Sequence, residues 1–212
     1  MSDIPVNLPS DGPLAFEGSA LPFGAIGTRA SGWWGIWFLI ISDSMIFAYE
    51  FFAYFWYSIQ PGANWTPYGP PTFLYSGPQC GVVLLGCVSA WFAEHSIRRD
   101  RQAATLIGLG ITAIFGAGFI ALQFLGWFNK PFTFSSSTYS SIYFLITGTH
   151  LAHFVIGWFM FLMLFVWTAL GYFDRGRHVP IMVGVLYWYW LAAAWIAVFF
   201  VVNCTPYFFG PQ

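Results

Sequence analysis

Two acids and two histidines sit where the apolar sequence around them should exclude polar groups. Asp43 falls about ten residues into the run Trp33–Tyr57, roughly 15 Å along a helix that rises 1.5 Å per residue. An aspartate at the centre of a membrane-crossing helix is uphill by about 2.5–3.5 kcal/mol, so the group must be protonated, partnered or beside water. Ser42 and Ser44 flank it and offer hydroxyls to a local network. Glu50 follows one heptad later, on nearly the same helix face with an offset of roughly 20°. Two carboxyls on one stripe imply a polar or protein-facing seam. Its chemistry is either proton exchange or structural hydrogen bonding to a neighbouring helix.

In Thr147-Gly148-Thr149-His150-Leu151-Ala152-His153, two imidazoles stand three positions apart, roughly 60° around a helix, at a depth where they can meet the Asp43 level. A metal site needs more ligands at matching depth, and a bis-histidine haem needs a histidine on a facing helix. The other histidines, His95 and His178, fall at helix ends, which favours hydrogen-bonding roles for His150 and His153 over metal or haem ligation. Glu94, His95, Arg98, Arg99, Asp100 and Arg101 form a dense charged cluster; His95, Arg98, Arg99 and Arg101 suit contact with lipid headgroups. Tyr187-Trp188-Tyr189-Trp190 reads as packing and interface anchoring. Nothing here has the spacing of a phosphate loop, a Ser/His/Asp set or a cysteine nucleophile. Cys80, Cys87 and Cys204 lack zinc-site spacing, and the choice for Cys80 and Cys204 is between free thiols and a disulfide.

The elements that must position these groups follow from composition. Of 212 residues, 58% are hydrophobic and 7% charged, too few polar residues to cover a water-soluble domain. The expected fold is all-α: a polytopic membrane protein with five transmembrane helices at about 33–57, 78–98, 103–127, 142–173 and 180–202. Residues 31–208 then form the membrane domain. Residues 1–30, with four prolines and neither a signal nor a transit pattern, form an N-terminal arm, and 209–212 a C-terminal tail. Gln60–Gln79 and Asn129–Ser141 read as loops, and no internal repeat stands out. Five spans gather Arg29, Arg98, Arg99, Arg101, Arg175 and Arg177 on one side and leave Lys130 on the other. The positive-inside rule then makes the N-terminus cytoplasmic and the C-terminus external. The net charge of −1 gives no reason to expect nucleic acid as a partner.

Taken in order, these segments resemble subunit III of the haem-copper respiratory oxidases from about Gly32 to Tyr207. Ile41-Ser42-Asp43-Ser44-Met45-Ile46-Phe47 is similar to the family's I-S-E-x-M-F-F, with Asp43 at the place of its intramembrane glutamate. Trp91, His95-Ser96 and Asp100-Arg101 resemble W-x-H-H-S-x-x-x-x-D-R with shifted spacing, Gln123 resembles the glutamine of Q-x-x-E-Y, and Pro131-Phe132-Thr133 the loop that follows. Thr147 to His153 resembles T-G-F-H-G-x-H. The sequence departs from the pattern where Tyr189 and Ala192 replace the histidine and aspartate of Y-W-H-F-V-D-x-x-W, where Gly126 replaces the glutamate after Gln123, and where Glu94 replaces the first histidine of the H-H pair.

The resemblance implies a short, five-helix form of a subunit whose long form has seven. It implies a non-catalytic accessory subunit of a bacterial inner-membrane terminal oxidase that binds no cofactor itself. It would pack on catalytic subunit I and other subunits that carry haem and copper, bind phospholipid, and support proton uptake and turnover stability. Asp43, Glu50, His150 and His153 would form its polar network. The departures leave room for a nitric oxide reductase-type complex as the partner. Two rivals from other classes are a small proton-coupled transporter, against which the absence of a repeat counts, and a membrane enzyme with a histidine metal site.

Overall fold

The computed structural model describes residues 31–60, 65–69 and 71–208. The expected arm 1–30, the tail 209–212 and Arg29 lie outside the described residues. Among those described, all regular structure is helical: α1 (Ser31–Ser58), α2 (Ser76–Arg98), α3 (Gln102–Phe128), α4 (Thr138–Ala169) and α5 (Val179–Phe199), the last continued by a π-helical turn (Phe200–Cys204) and a short helix α6 (Thr205–Phe208). Five of these segments are long and apolar enough to cross a membrane. A hydrocarbon core of about 30 Å needs about 20 apolar residues, which each supplies.

Helices α2, α3, α4 and α5 close a four-membered ring, α2 against α3, α3 against α4, α4 against α5 and α5 back against α2. Trp188 lies at its centre, fully buried among Phe154 and Phe161. Two glycines make room for its ring. A Cβ on Gly86 of α2 would stand 2.7 Å from Trp188 Cζ2, and one on Gly116 of α3 would lie 3.3 Å from Trp188 Cη2 while overlapping Trp158. Small residues at such crossings let membrane helices approach closely, where van der Waals packing replaces the hydrophobic driving force available in water. Ser89 Oγ donates to the Gly108 carbonyl at 2.8 Å, and Trp158 Nε1 to the Ala113 carbonyl at 2.8 Å, tying neighbours to α3. Helix α1 stands outside the ring, packed on α4 and α5, with most of its surface apolar and exposed.

Two expected boundaries need correction. Helix α4 occupies 138–169 instead of 142–173, because Ser137 and Ser140 form a reciprocal capping box that starts it early. It ends at Gly171, whose φ of 78° accompanies the Gly171 N–H to Thr168 and Tyr172 N–H to Trp167 bonds of a Schellman stop. Gly171→Ala is expected to cost about 1 kcal/mol, since a Cβ is strained in the left-handed region; thermal unfolding in detergent would reveal it. The fifth span, expected to stop at 202, runs on to Phe208. The wide π turn lets it pass Pro206, which lacks an N–H and would crowd the preceding carbonyl of a regular helix. The α2–α3 connection repeats the Schellman pattern with Asp100 at φ 59°. Cys80, Cys87 and Cys204 are all free thiols.

Candidate functional site

The stripe carrying Asp43 and Glu50 faces α4. Glu50 is 4% exposed, and its Oε1 accepts from Thr149 Oγ1 at 2.5 Å. Its Oε2 is buried without a hydrogen-bond partner. One turn on along α4, His153 Nε2 lies 3.6 Å from Asp43 Oδ2, with both side chains mostly buried. The other imidazole nitrogen fixes the tautomer: Nδ1 sits 2.8 Å from the Thr149 carbonyl, which can only accept, so Nδ1 carries a proton and Nε2 is presented to Asp43. Thr149 therefore serves both acids, through its hydroxyl to Glu50 and through its carbonyl to the histidine beside Asp43.

His150 goes elsewhere. It is fully buried inside the ring, and its Nε2 donates to the Leu191 carbonyl of α5 at 3.1 Å, leaving Nδ1 unpartnered. Phe47 separates the two imidazoles, with ring centroids 5.8 Å from His153 and 6.2 Å from His150. Trp190 completes the frame by donating from Nε1 to Ser44 Oγ at 3.0 Å, which ties α1 to α5. The expected network thus divides. Asp43, Glu50 and His153 are brought together at the α1–α4 seam, while His150 is a bundle-interior group. Ser42 and Ser44 do not serve Asp43: their hydroxyls bond back to the Leu39 and Ile40 carbonyls, the nearest acceptors in an apolar setting.

At the arginine-rich end, Arg98 Nη2 pairs with Glu94 Oε1 at 2.5 Å, and His95 stacks on Trp91 with centroids 5.2 Å apart. Arg99 and Arg101 remain exposed beside them. No group of three or more His, Cys, Asp or Glu that could hold a metal ion exists among the described residues.

Two features are not legible in the sequence. Thr149 is visible there only as part of a motif, since nothing in one sequence says that α1 and α4 touch. At the end opposite the arginines, a cavity of about 190 Å³ opens between the ends of α2–α5 and the adjoining loops. Its walls include Gln79, whose Nε2 donates to Gln123 Oε1 at 2.8 Å, and Asn203, whose Oδ1 accepts from Ser76 at 3.2 Å.

The family described as cytochrome c oxidase subunit III matches residues 20–210. Cytochrome c oxidase subunit 3 of Drosophila melanogaster is 28% identical over 176 residues, covering 80% of this chain and 67% of that protein. The Petromyzon marinus protein of the same name is 31% identical over 171 residues, covering 77% and 65%. That of Locusta migratoria is 28% identical over 173 residues, again covering 77% and 65%. The chain spans about two thirds of the length of these curated relatives.

Proposed function

The chain belongs to the cytochrome c oxidase subunit III family, and on that premise we propose that it is a non-catalytic accessory subunit of a haem-copper terminal oxidase in the bacterial inner membrane. It packs on catalytic subunit I, which with its fellow subunits carries the haem and copper. It binds phospholipid and helps sustain proton uptake and turnover stability. The arginines flanking α2, α3, α4 and α5 favour an orientation with that end in the cytoplasm, where exposed Arg99 and Arg101 meet anionic headgroups.

The observation that carries this reading is the Asp43–His153 pair, 3.6 Å apart and joining the I-S-E-x-M-F-F-like and T-G-F-H-G-x-H-like segments of the resemblance. An imidazole held by its Nδ1 proton can take up and return a proton at Nε2, the atom facing the carboxyl. Asp43→Asn keeps the shape of the side chain and removes its titration. It is expected to leave assembly intact while lowering proton uptake and shortening the catalytic lifetime of the purified complex. Unchanged uptake and lifetime in a fully assembled variant would remove Asp43 from this role. Tyr189, Ala192 and Gly126, which depart from the family pattern, favour a nitric oxide reductase-type partner as the second reading. The haem spectrum and subunit masses of the complex purified in mild detergent separate the two.

A further inference from the structure

Among the described residues, the cavity at the end opposite the arginines is lined by a single formally charged side chain. Lys130 lines it half-buried, its Nζ 4.9 Å from the Tyr143 ring centroid and 5.8 Å from that of Phe132. No acidic side chain among the described residues is available to it. There is no Asp or Glu between Glu50 and Glu94, none between Asp100 and Asp174, and none after Asp174. Glu94, Asp100 and Asp174 belong to the arginine-rich end. Asp43 faces His153, Glu50 is engaged by Thr149, and neither forms part of the wall. Gly126, at the place where the pattern Q-x-x-E-Y carries a glutamate, is itself a wall of the cavity. Among the described residues, the space therefore holds a cation without a counter-charge. Around it stand neutral donors: Gln123 and Asn203 each use only their carbonyl in the bonds described above, so their amide N–H groups are left for a guest.

We propose that this cavity binds a singly charged oxyanion supplied from outside the chain, either a small dissolved carboxylate or the phosphodiester of a lipid headgroup, seated on Lys130. One ammonium and a set of neutral donors match a single negative charge, and a dianion would stay under-neutralised in so partly desolvated a site. Burial lowers the pKa of Lys130, with no acid among the described residues to offset it. An anion in place raises it again.

Lys130 is the sole lysine of the sequence, so lysine labelled at Cε gives one side-chain resonance in the full chain delipidated in a maltoside detergent, which carries no phosphodiester. Acetate is expected to shift that resonance saturably and to raise the titration midpoint of the amine by about one unit, a tenfold gain in proton affinity. Chloride at equal ionic strength should do neither. A response to acetate identifies a dissolved source. The same response produced by adding phosphatidylglycerol to the micelle, without acetate, identifies the membrane as a source. Acetate acting no differently from chloride, together with no effect of phosphatidylglycerol, overturns the proposal. Gly126→Glu supplies the carboxylate internally, and its Cβ would meet Tyr75 only at an ordinary 3.5 Å. In that variant the midpoint should be high from the start and the anion response lost. A wild-type response in a folded Gly126→Glu protein would place the anion elsewhere and defeat the assignment.

Discussion

Gly116→Leu is expected to be strongly destabilising. A Cβ at this position already overlaps Trp158 and approaches Trp188, two rings that are themselves fixed: Trp158 by its bond to the Ala113 carbonyl, Trp188 by complete burial among aromatic neighbours. Neither can retreat without opening the ring of helices. Overpacking typically costs about 1–3 kcal/mol, and the rigidity of both obstacles puts this case at the top of that range or above. The control lies on the same helix. Gly118 has nothing within 4 Å of where its Cβ would be, so Gly118→Leu is expected to stay within about 0.5 kcal/mol of wild type. Thermal or denaturant unfolding in detergent compares the pair directly, and equal losses for the two would contradict the packing account.

The second large effect concerns the seam between α1 and α4. Thr149→Val keeps shape and removes the donor, leaving a carboxyl group that is 4% exposed without its described partner. Interhelical hydrogen bonds in membranes average only about 0.6 kcal/mol, so the bond alone would predict little. Leaving the buried acceptor unpaired costs more, about 1–3 kcal/mol. The two contributions are separable, because Glu50→Met in the same chain removes the stranded group. The double variant is expected to recover most of the stability lost in Thr149→Val. If it is no more stable than the single variant, the loss arises from packing and not from the carboxyl.

The number of spans, their order and the inward direction of Asp43 and Glu50 are all legible in the sequence. They depend on signals internal to one segment: hydropathy, and a heptad spacing that keeps two acids on one face. Pairings between segments are less accessible. His150 and His153 look equivalent from a motif, and only the placement of α5 on one side and α1 on the other sends His150 to a backbone carbonyl and His153 to Asp43. The early start of α4 is hidden because Ser137 and Ser140 sit in a serine cluster that reads as loop, although the same residues form a reciprocal cap. Lys130 contributes to the sequence reading only through topology. Its significance depends on the walls that α2, α3, α4 and α5 jointly build around it.

The peripheral position of α1 also bears on how the protein is made. Glu50 and Thr149 are 99 residues apart, and a ribosome adding about 5–20 residues per second takes roughly 5 to 20 s to span that interval. The first helix leaves the translation machinery with two carboxyl groups whose partners have not yet been synthesised. During those seconds it must lodge in lipid as neutral acids or shelter against an insertion factor. The seam that gathers both carboxyls in the finished fold therefore closes only after α4 has been made.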